Sequence, residues 1–292
     1  MSIRYLARVR QGWNTTSSLR PFTFPGGERH IFAPEFTDTA VPPGFQEVSL
    51  GAVITGCDAD DLVLLGLWAD IIRSRGERTV AYIPYFPAAR ADRGTPFAAK
   101  VYADIVNSFN LDEVVIFDPH SPVIVGLINN VRVVDSAPVI RRTIVGWGDR
   151  LASDKGYVGV IAPDAGAAER TQRVADVLHL PMFQATKTRN PDTGKLSNFE
   201  VEELPAEGRL LLVDDICDGG GTFRGLAAAS GVPRERLDLW VSHGIFSGRA
   251  NELTESFANV WTTDSHPGAR REDLGARVIA ILPYLLDHNP TK

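Results

Sequence analysis

The segment 210–222 raises the first chemical question. Leu210-Leu211-Leu212-Val213 run into Asp214 and Asp215, and after Ile216 and Cys217 come Asp218, Gly219, Gly220, Gly221 and Thr222. Carboxylates closing an apolar strand are costly to desolvate, and glycines opening a helix are costly in entropy. A helix N-terminus with exposed N–H groups favours a phosphate, and glycines let the backbone approach it closely. The aspartates would repel that phosphate unless they face something else, either vicinal sugar hydroxyls or a bound Mg²⁺. A sugar phosphate satisfies both halves of the loop. A turn that only capped the helix would need one such residue rather than three.

A second cluster lies in "YIPYFPAARADRGTPF", where Arg90 and Arg93 follow an apolar strand pattern and precede a helical one. Two fixed cations in that position suit a polyphosphate better than a single carboxylate.

These clusters need elements to hold them. Short runs rich in Val, Ile and Leu alternate with segments of helical period. "EVSLGAVITG", "TVAYIPYF", "EVVIFDPH", "GYVGVIAPDAG", "PMFQATK", "RLLLVDDI", "RLDLWVSHGIF", "FANVWTTDS" and "ARVIAILPYL" read as strands. "DDLVLLGLWADIIRSRG" reads as a helix with Leu62, Leu65, Trp68 and Ile72 on one face and Gly76 as its stop. "TPFAAKVYADIVNSF" reads as another, opened by Thr95 and Pro96, and "SPVIVGLINN", "AAERTQRVADVLHL" and "GGTFRGLAAASG" follow later. Near-continuous apolar strands alternating with helices predict mainly parallel sheet covered on both faces. In such sheets ligands bind beyond the carboxyl ends of strands, where both clusters fall. Two such series fit two α/β domains, 1–140 and 141–292, with "PVIRRTIVGWGDR" as the connector.

Composition narrows the partners. The 292 residues are 44% apolar and 23% charged, as in ordinary soluble globular chains. A net charge of −6 argues against general nucleic-acid binding. Two cysteines, Cys57 and Cys217, give no disulfide framework and read as half-buried thiols. No apolar run is long enough for a signal core or a membrane span, so a cytoplasmic protein without a membrane partner is expected.

The 210–222 loop resembles the phosphoribosyl-diphosphate loop of the type I phosphoribosyltransferase fold. The arginine segment resembles "IPYF-x-x-AR-x-DR" of the ribose-phosphate pyrophosphokinases. The likeness extends to "FPGGE" at 24–28, "DEVVIFDPHSPVIVGLI", "VIAPDAGAAER" and "SHGIFSG". It implies two tandem phosphoribosyltransferase-like domains, each a mainly parallel sheet flanked by helices, with an ATP site in the first and a ribose-phosphate loop in the second. The implied reaction transfers pyrophosphate from ATP to the anomeric hydroxyl of ribose 5-phosphate.

By position, the resemblance places Phe24, Glu28, Arg90, Arg93 and His120 at the nucleotide, and His120 with Asp164 at Mg²⁺. It places Lys187 and Arg189, in "QATKTRNPDTGKL", at the base of a mobile catalytic lid made of the Asn, Pro, Asp, Gly and Ser after them. Asp214, Asp215 and Asp218, with Gly219 through Thr222, hold the sugar phosphate. A homo-oligomer, dimer or hexamer, is implied as well.

Three positions depart from the family pattern: Gly26 replaces an aspartate, Ala91 a glutamine, and Gly219 a threonine. The last opens space beside the 5-phosphate, so an acceptor with a substituted phosphate, ADP-ribose as in NAD⁺ salvage, is the alternative. A non-catalytic regulatory homologue would be expected to lose lid or metal residues, and this chain keeps them.

Overall fold

The computed structural model describes residues 3–9, 12–15, 19–33, 50–56, 58–146, 151–189 and 196–287, and the chain divides into units Met1–Val134 and Asp135–Lys292. In the first unit, β1 (Ile3–Val9), β2 (Gly12–Thr15) and the hairpin β3 (Arg20–Thr23) and β4 (Arg29–Phe32) precede β5 (Leu50–Ile54). Then α1 (Ala59–Ser74), β6 (Thr79–Tyr82), α2 (Ala98–Ser108), β7 (Glu113–Phe117), α3 (Pro122–Leu127) and β8 (Val131–Val134) alternate. The sheet order is β2-β1-β5-β6-β7-β8. β5 through β8 pair in parallel, and β1 pairs antiparallel with both β2 and β5.

Local chemistry explains these elements. The Asp58 side chain accepts the Asp60 N–H at 3.0 Å and caps α1, and Gly76 at φ +72 follows its end. Leu62, Leu64, Leu65, Trp68 and Ile72 of α1 pack into the core with Ala52, Ile54, Ala81 and Ile83. The segment 24–28 is the tight turn of the β3–β4 hairpin: the Gly27 N–H reaches the Phe24 carbonyl at 2.9 Å, with Gly27 at φ +100.

The second unit runs α4 (Ser136–Ile144), β9 (Tyr157–Ala162), α5 (Ala168–Leu178), β10 (Met182–Arg189), β11 (Leu196–Val201) and β12 (Arg209–Cys217). It continues with α6 (Gly221–Ser230), β13 (Leu237–Gly244), α7 (Leu253–Ser256), β14 (Asn259–Thr263), β15 (Arg277–Ile279) and α8 (Leu282–Leu286). The order β11-β10-β9-β12-β13-β14-β15 is parallel except for the β10–β11 pair. Every residue of β13 is buried, as a strand covered on both faces requires.

Four local readings change. The helix expected from Thr95 begins at Ala98, because the preceding turn is held by the Ala99 N–H on the Ala91 carbonyl at 3.1 Å; the Thr95–Pro96 peptide is cis. The expected connector contains α4, capped by Asp135 accepting the Ala137 N–H at 2.7 Å. Arg173 of α5 meets Asp135 at 2.7 Å, so this segment belongs to the second unit and the division falls at Val134/Asp135. β11 stands where only lid was expected, and residues 190–195 of the lid lie outside the described residues. Cys217 is fully buried rather than half-buried, while Cys57 lies outside the described residues. No helix among the described residues is long and apolar enough to cross a membrane.

Candidate active site

β12 lies between β9 and β13 and delivers the acidic loop at its carboxyl end. The Cys217 carbonyl accepts the Ile245 and Phe246 N–H groups at 2.9 and 3.1 Å, which fixes the strand end against the turn after β13. Asp214 and Asp215 have side chains 18% and 5% exposed, and between them sits Arg170 of α5, itself 8% exposed. Its guanidinium nitrogens lie 3.8 Å from Asp214 and 3.6 Å from Asp215. Burial, and then the neighbouring Asp215 carboxylate, push the Asp214 carboxyl well above its ordinary value, while Arg170 opposes the rise. One cation shared by two carboxylates thus makes a partly neutralised pair with oxygen acceptors, suited to a vicinal diol.

Asp218 accepts the Ser247 hydroxyl on Oδ1. Gly220 is left-handed at φ +74, and a Cβ there would come 3.0 Å from Leu253 Cγ, so glycine is required. Cβ atoms at Gly219 and Gly221 would meet nothing within 4 Å, and neither backbone is left-handed. The first intrahelical bond of α6 is Arg224 N–H to the Gly220 carbonyl at 3.1 Å. By helix geometry the N–H groups before it have no acceptor within the helix, which gives a phosphate-sized cradle.

In the first unit two loops lie side by side. Ile83 N–H reaches the Val115 carbonyl at 2.8 Å and Phe117 N–H the Pro84 carbonyl at 3.2 Å, so the exits of β6 and β7 are adjacent. The loop after β6 carries Arg90, exposed, and Arg93, whose side chain is 88% exposed. Between them Asp92 is buried and accepts the Ser121 hydroxyl at 2.7 Å and Arg93 Nε–H at 3.2 Å. The Ser121 bond first, and Arg93 and His120 besides, hold the Asp92 carboxyl below its ordinary range. The loop after β7 carries Asp118 and the half-buried His120.

On the β3–β4 hairpin, Phe24 is exposed and stacks on His30 at 5.5 Å. Glu28 leans over Gly26: its Oε2 lies 2.5 Å from where a Cβ would stand. The space an aspartate side chain would take is therefore filled by the Glu28 carboxylate.

Asp164 lies in the turn between β9 and α5, where its Oδ1 accepts the Ala167 N–H at 3.1 Å. It belongs to the second unit and His120 to the first. Lys187 and Arg189 fall at the end of β10, opposite Phe199 and Leu196 of β11, with a register shift between Lys187 and Thr188. Four polar residues at these sites were not assigned from sequence: Arg170, Asp92, Ser121 and Ser247. The first stands in the "APDAGAAER" segment and the second in "ARADR", so the segments were visible although the roles were not.

Two α/β units with polar clusters at the carboxyl ends of parallel strands have the architecture of the phosphoribosyltransferase-like fold. Among solved structures, the fold is shared with phosphoribosylpyrophosphate synthetase from Mycobacterium smegmatis, at TM-score 0.69 and 22% identity over 91% of this chain and 87% of that one. No protein-family model matches the sequence. Among curated proteins, ribose-phosphate pyrophosphokinase of Cereibacter sphaeroides is 32% identical over 237 residues, covering 77% of this chain and 68% of the relative. That of Haemophilus influenzae is 30% identical over 218 residues, covering 71% and 68%. The chain belongs to the ribose-phosphate pyrophosphokinase family.

Proposed function

We propose that the protein transfers the β,γ-pyrophosphate of ATP to the anomeric hydroxyl of ribose 5-phosphate, giving 5-phosphoribosyl 1-diphosphate and AMP. The observation that carries this is the Asp214–Asp215 pair on Arg170, placed just before the N-terminus of α6, in a member of this family. The anomeric oxygen forms a bond to the β-phosphorus, the bond from that phosphorus to the α,β-bridging oxygen breaks, and the hydroxyl proton passes to solvent. Such a reaction is limited by charge and alignment, so positioned groups contribute most of the rate.

Asp214 and Asp215 hold the ribose hydroxyls, and the 219–222 cradle holds the 5-phosphate. Arg90, Arg93, Phe24, Glu28 and His120 hold the nucleotide, and Lys187 and Arg189 neutralise charge on the transferred group. Mg²⁺ is the metal this reading implies, and it ordinarily rides on substrate phosphates with one or two protein ligands, for which Asp164 offers an oxygen donor of the kind it prefers. His120 and Asp164 would supply those ligands, and the ion would neutralise phosphate charge. ATP and sugar phosphates are cytoplasmic metabolites, which supports a cytoplasmic enzyme. A homo-oligomer, dimer or hexamer, is part of the same reading, supported by family membership.

Gly219 favours a second acceptor. Its backbone does not demand glycine and a side chain there would meet no protein atom within 4 Å, so what glycine leaves open is the side-chain space beside the 5-phosphate, where a substituent as in ADP-ribose would begin. Incubation with Mg-ATP and each acceptor, following AMP release, tests both. Ribose 5-phosphate is expected to support turnover; AMP release with ADP-ribose alone would replace the first reading with the second. Lys187→Ala is expected to lower kcat by about 10³-fold while sparing ATP binding. Unchanged turnover would remove Lys187 from the site.

A further inference from the structure

Asp92 is a buried carboxylate to which the reaction as described gives no role. It sits in the loop carrying Arg90 and Arg93, yet its shorter bond, 2.7 Å, is to Ser121, in the loop that carries His120. Ser121 is the N-cap of α3, a position where serine ordinarily bonds to the backbone of its own helix. It makes no such cap bond and donates to Asp92 instead. Both loops also contain non-glycine residues at positive φ, Ala88 at +56 and Asp118 at +39, a costly backbone that persists only where surrounding contacts over-determine it.

We propose that Asp92 is a positioning residue for the transfer reaction: with Ser121 it latches the arginine loop to the histidine loop, so that Arg90, Arg93 and His120 engage one polyphosphate together. The latch rests on the nucleotide reading given above. Asp92 touches no substrate; it acts by fixing where two loops stand, one through its own backbone and one through Ser121. Arg93 Nε at 3.2 Å is a further load on the same carboxylate, so the latch also sets the direction of one phosphate-binding side chain.

The full-length protein is compared with Ser121→Ala, Ser121→Thr, Asp92→Ala and the Asp92→Ala/Ser121→Ala double variant. Binding of α,β-methylene-ATP with Mg²⁺ is measured by calorimetry, alongside KM for ATP and for ribose 5-phosphate. Ser121→Ala is expected to weaken nucleotide binding by about 10–150-fold, the range for losing one hydrogen bond to a charged group. Ser121→Thr, which keeps the hydroxyl, restores it. The double variant is no worse than Asp92→Ala alone, and KM for ribose 5-phosphate stays at the wild-type value. Unchanged nucleotide affinity in Ser121→Ala overturns the latch, as does an equal rise in both KM values. If Asp92→Ala fails to fold, the serine pair still decides. A wild-type protein that binds no nucleotide sinks the proposed function itself, whereas a binding wild type with an equally competent Ser121→Ala sinks only the latch.

Discussion

The loops after β6 and β12 occupy equivalent places, each at the carboxyl end of a parallel strand, but they hold their charges in opposite ways. After β12 the charges are paired before any ligand arrives: half-buried Asp214 and buried Asp215 share the buried Arg170. After β6 the arginines face water over a buried Asp92, with Arg93 the extreme case at 88% exposed. Burying ions is costly and is tolerated only with partners, so the acidic loop meets that cost during folding and presents a rigid acceptor site. A guanidinium near water can still reorient toward a ligand, at the cost of the rotamer freedom it gives up on binding. The difference suits the proposed ligands, since a diol needs placed acceptors and a polyphosphate needs mainly charge within reach.

The contrast is broken most severely by removing Arg170. Arg170→Ala leaves the buried Asp215 and its half-buried neighbour Asp214 without their cation, and breaking a buried ion set costs about 3–5 kcal/mol. Thermal melting should fall by roughly 10 °C or more on that scale. KM for the sugar phosphate should rise in the same variant. A melting temperature within a degree or so of wild type would mean that the guanidinium, at 3.6–3.8 Å, is not what sustains the pair.

Asp214→Asn tests the same loop from the other side. Burial raises the Asp214 carboxyl above its ordinary 3.8, so the folded protein binds a proton that the unfolded chain has lost. More protons on the native state means that stability falls as pH rises from about 4 toward the elevated value. Asparagine cannot lose that proton and keeps the oxygen that accepts the Asp215 N–H at 2.9 Å. The variant should therefore match wild type near pH 4 and melt a few degrees higher at pH 8, while binding the acceptor poorly. A stability gain that is the same at both pH values would place the strain elsewhere than in the carboxyl's charge.

The parts read correctly from sequence are those whose signal is local. Parallel strands buried on both faces are continuous apolar runs, and β12 and β13 stand out for that reason. β1 and β2, "IRYLARV" and "GWNT", went unread because edge and antiparallel strands carry mixed polarity. α4 was obscured by Pro138 and the Arg141–Arg142 pair, although Asp135 as cap and the buried Ala137, Ile140 and Ile144 fit a helix. Asp214 through Thr222 stand out because glycines and carboxylates at a strand end are locally expensive, and the segment does run from the end of β12 into the start of α6. Arg170 and Asp92 were not, since an arginine on a helix and an aspartate in a loop look solvated until the tertiary structure buries them.

Arg93→Ala carries the smallest expected effect and sharpens the contrast from its exposed side. Arg93 and Asp92 form an ion pair at 3.2 Å, but the arginine is exposed, and pairs of that kind contribute about 0–1 kcal/mol to folding. Asp92 also keeps its Ser121 partner when Arg93 is removed, so the fold should melt within a few degrees of wild type. Nucleotide affinity should fall by about tenfold through loss of one charged phosphate contact. Because that contact forms near water, the difference between variant and wild type should shrink as salt rises and the Debye length falls from about 10 Å at 0.1 M to about 3 Å at 1 M. Arg170→Ala should show no comparable salt relief, since its partners are shielded by protein rather than by ions. Equal loss of stability in the two arginine variants, or a nucleotide defect in Arg93→Ala that ignores salt, would mean that both loops are built on the same buried electrostatics.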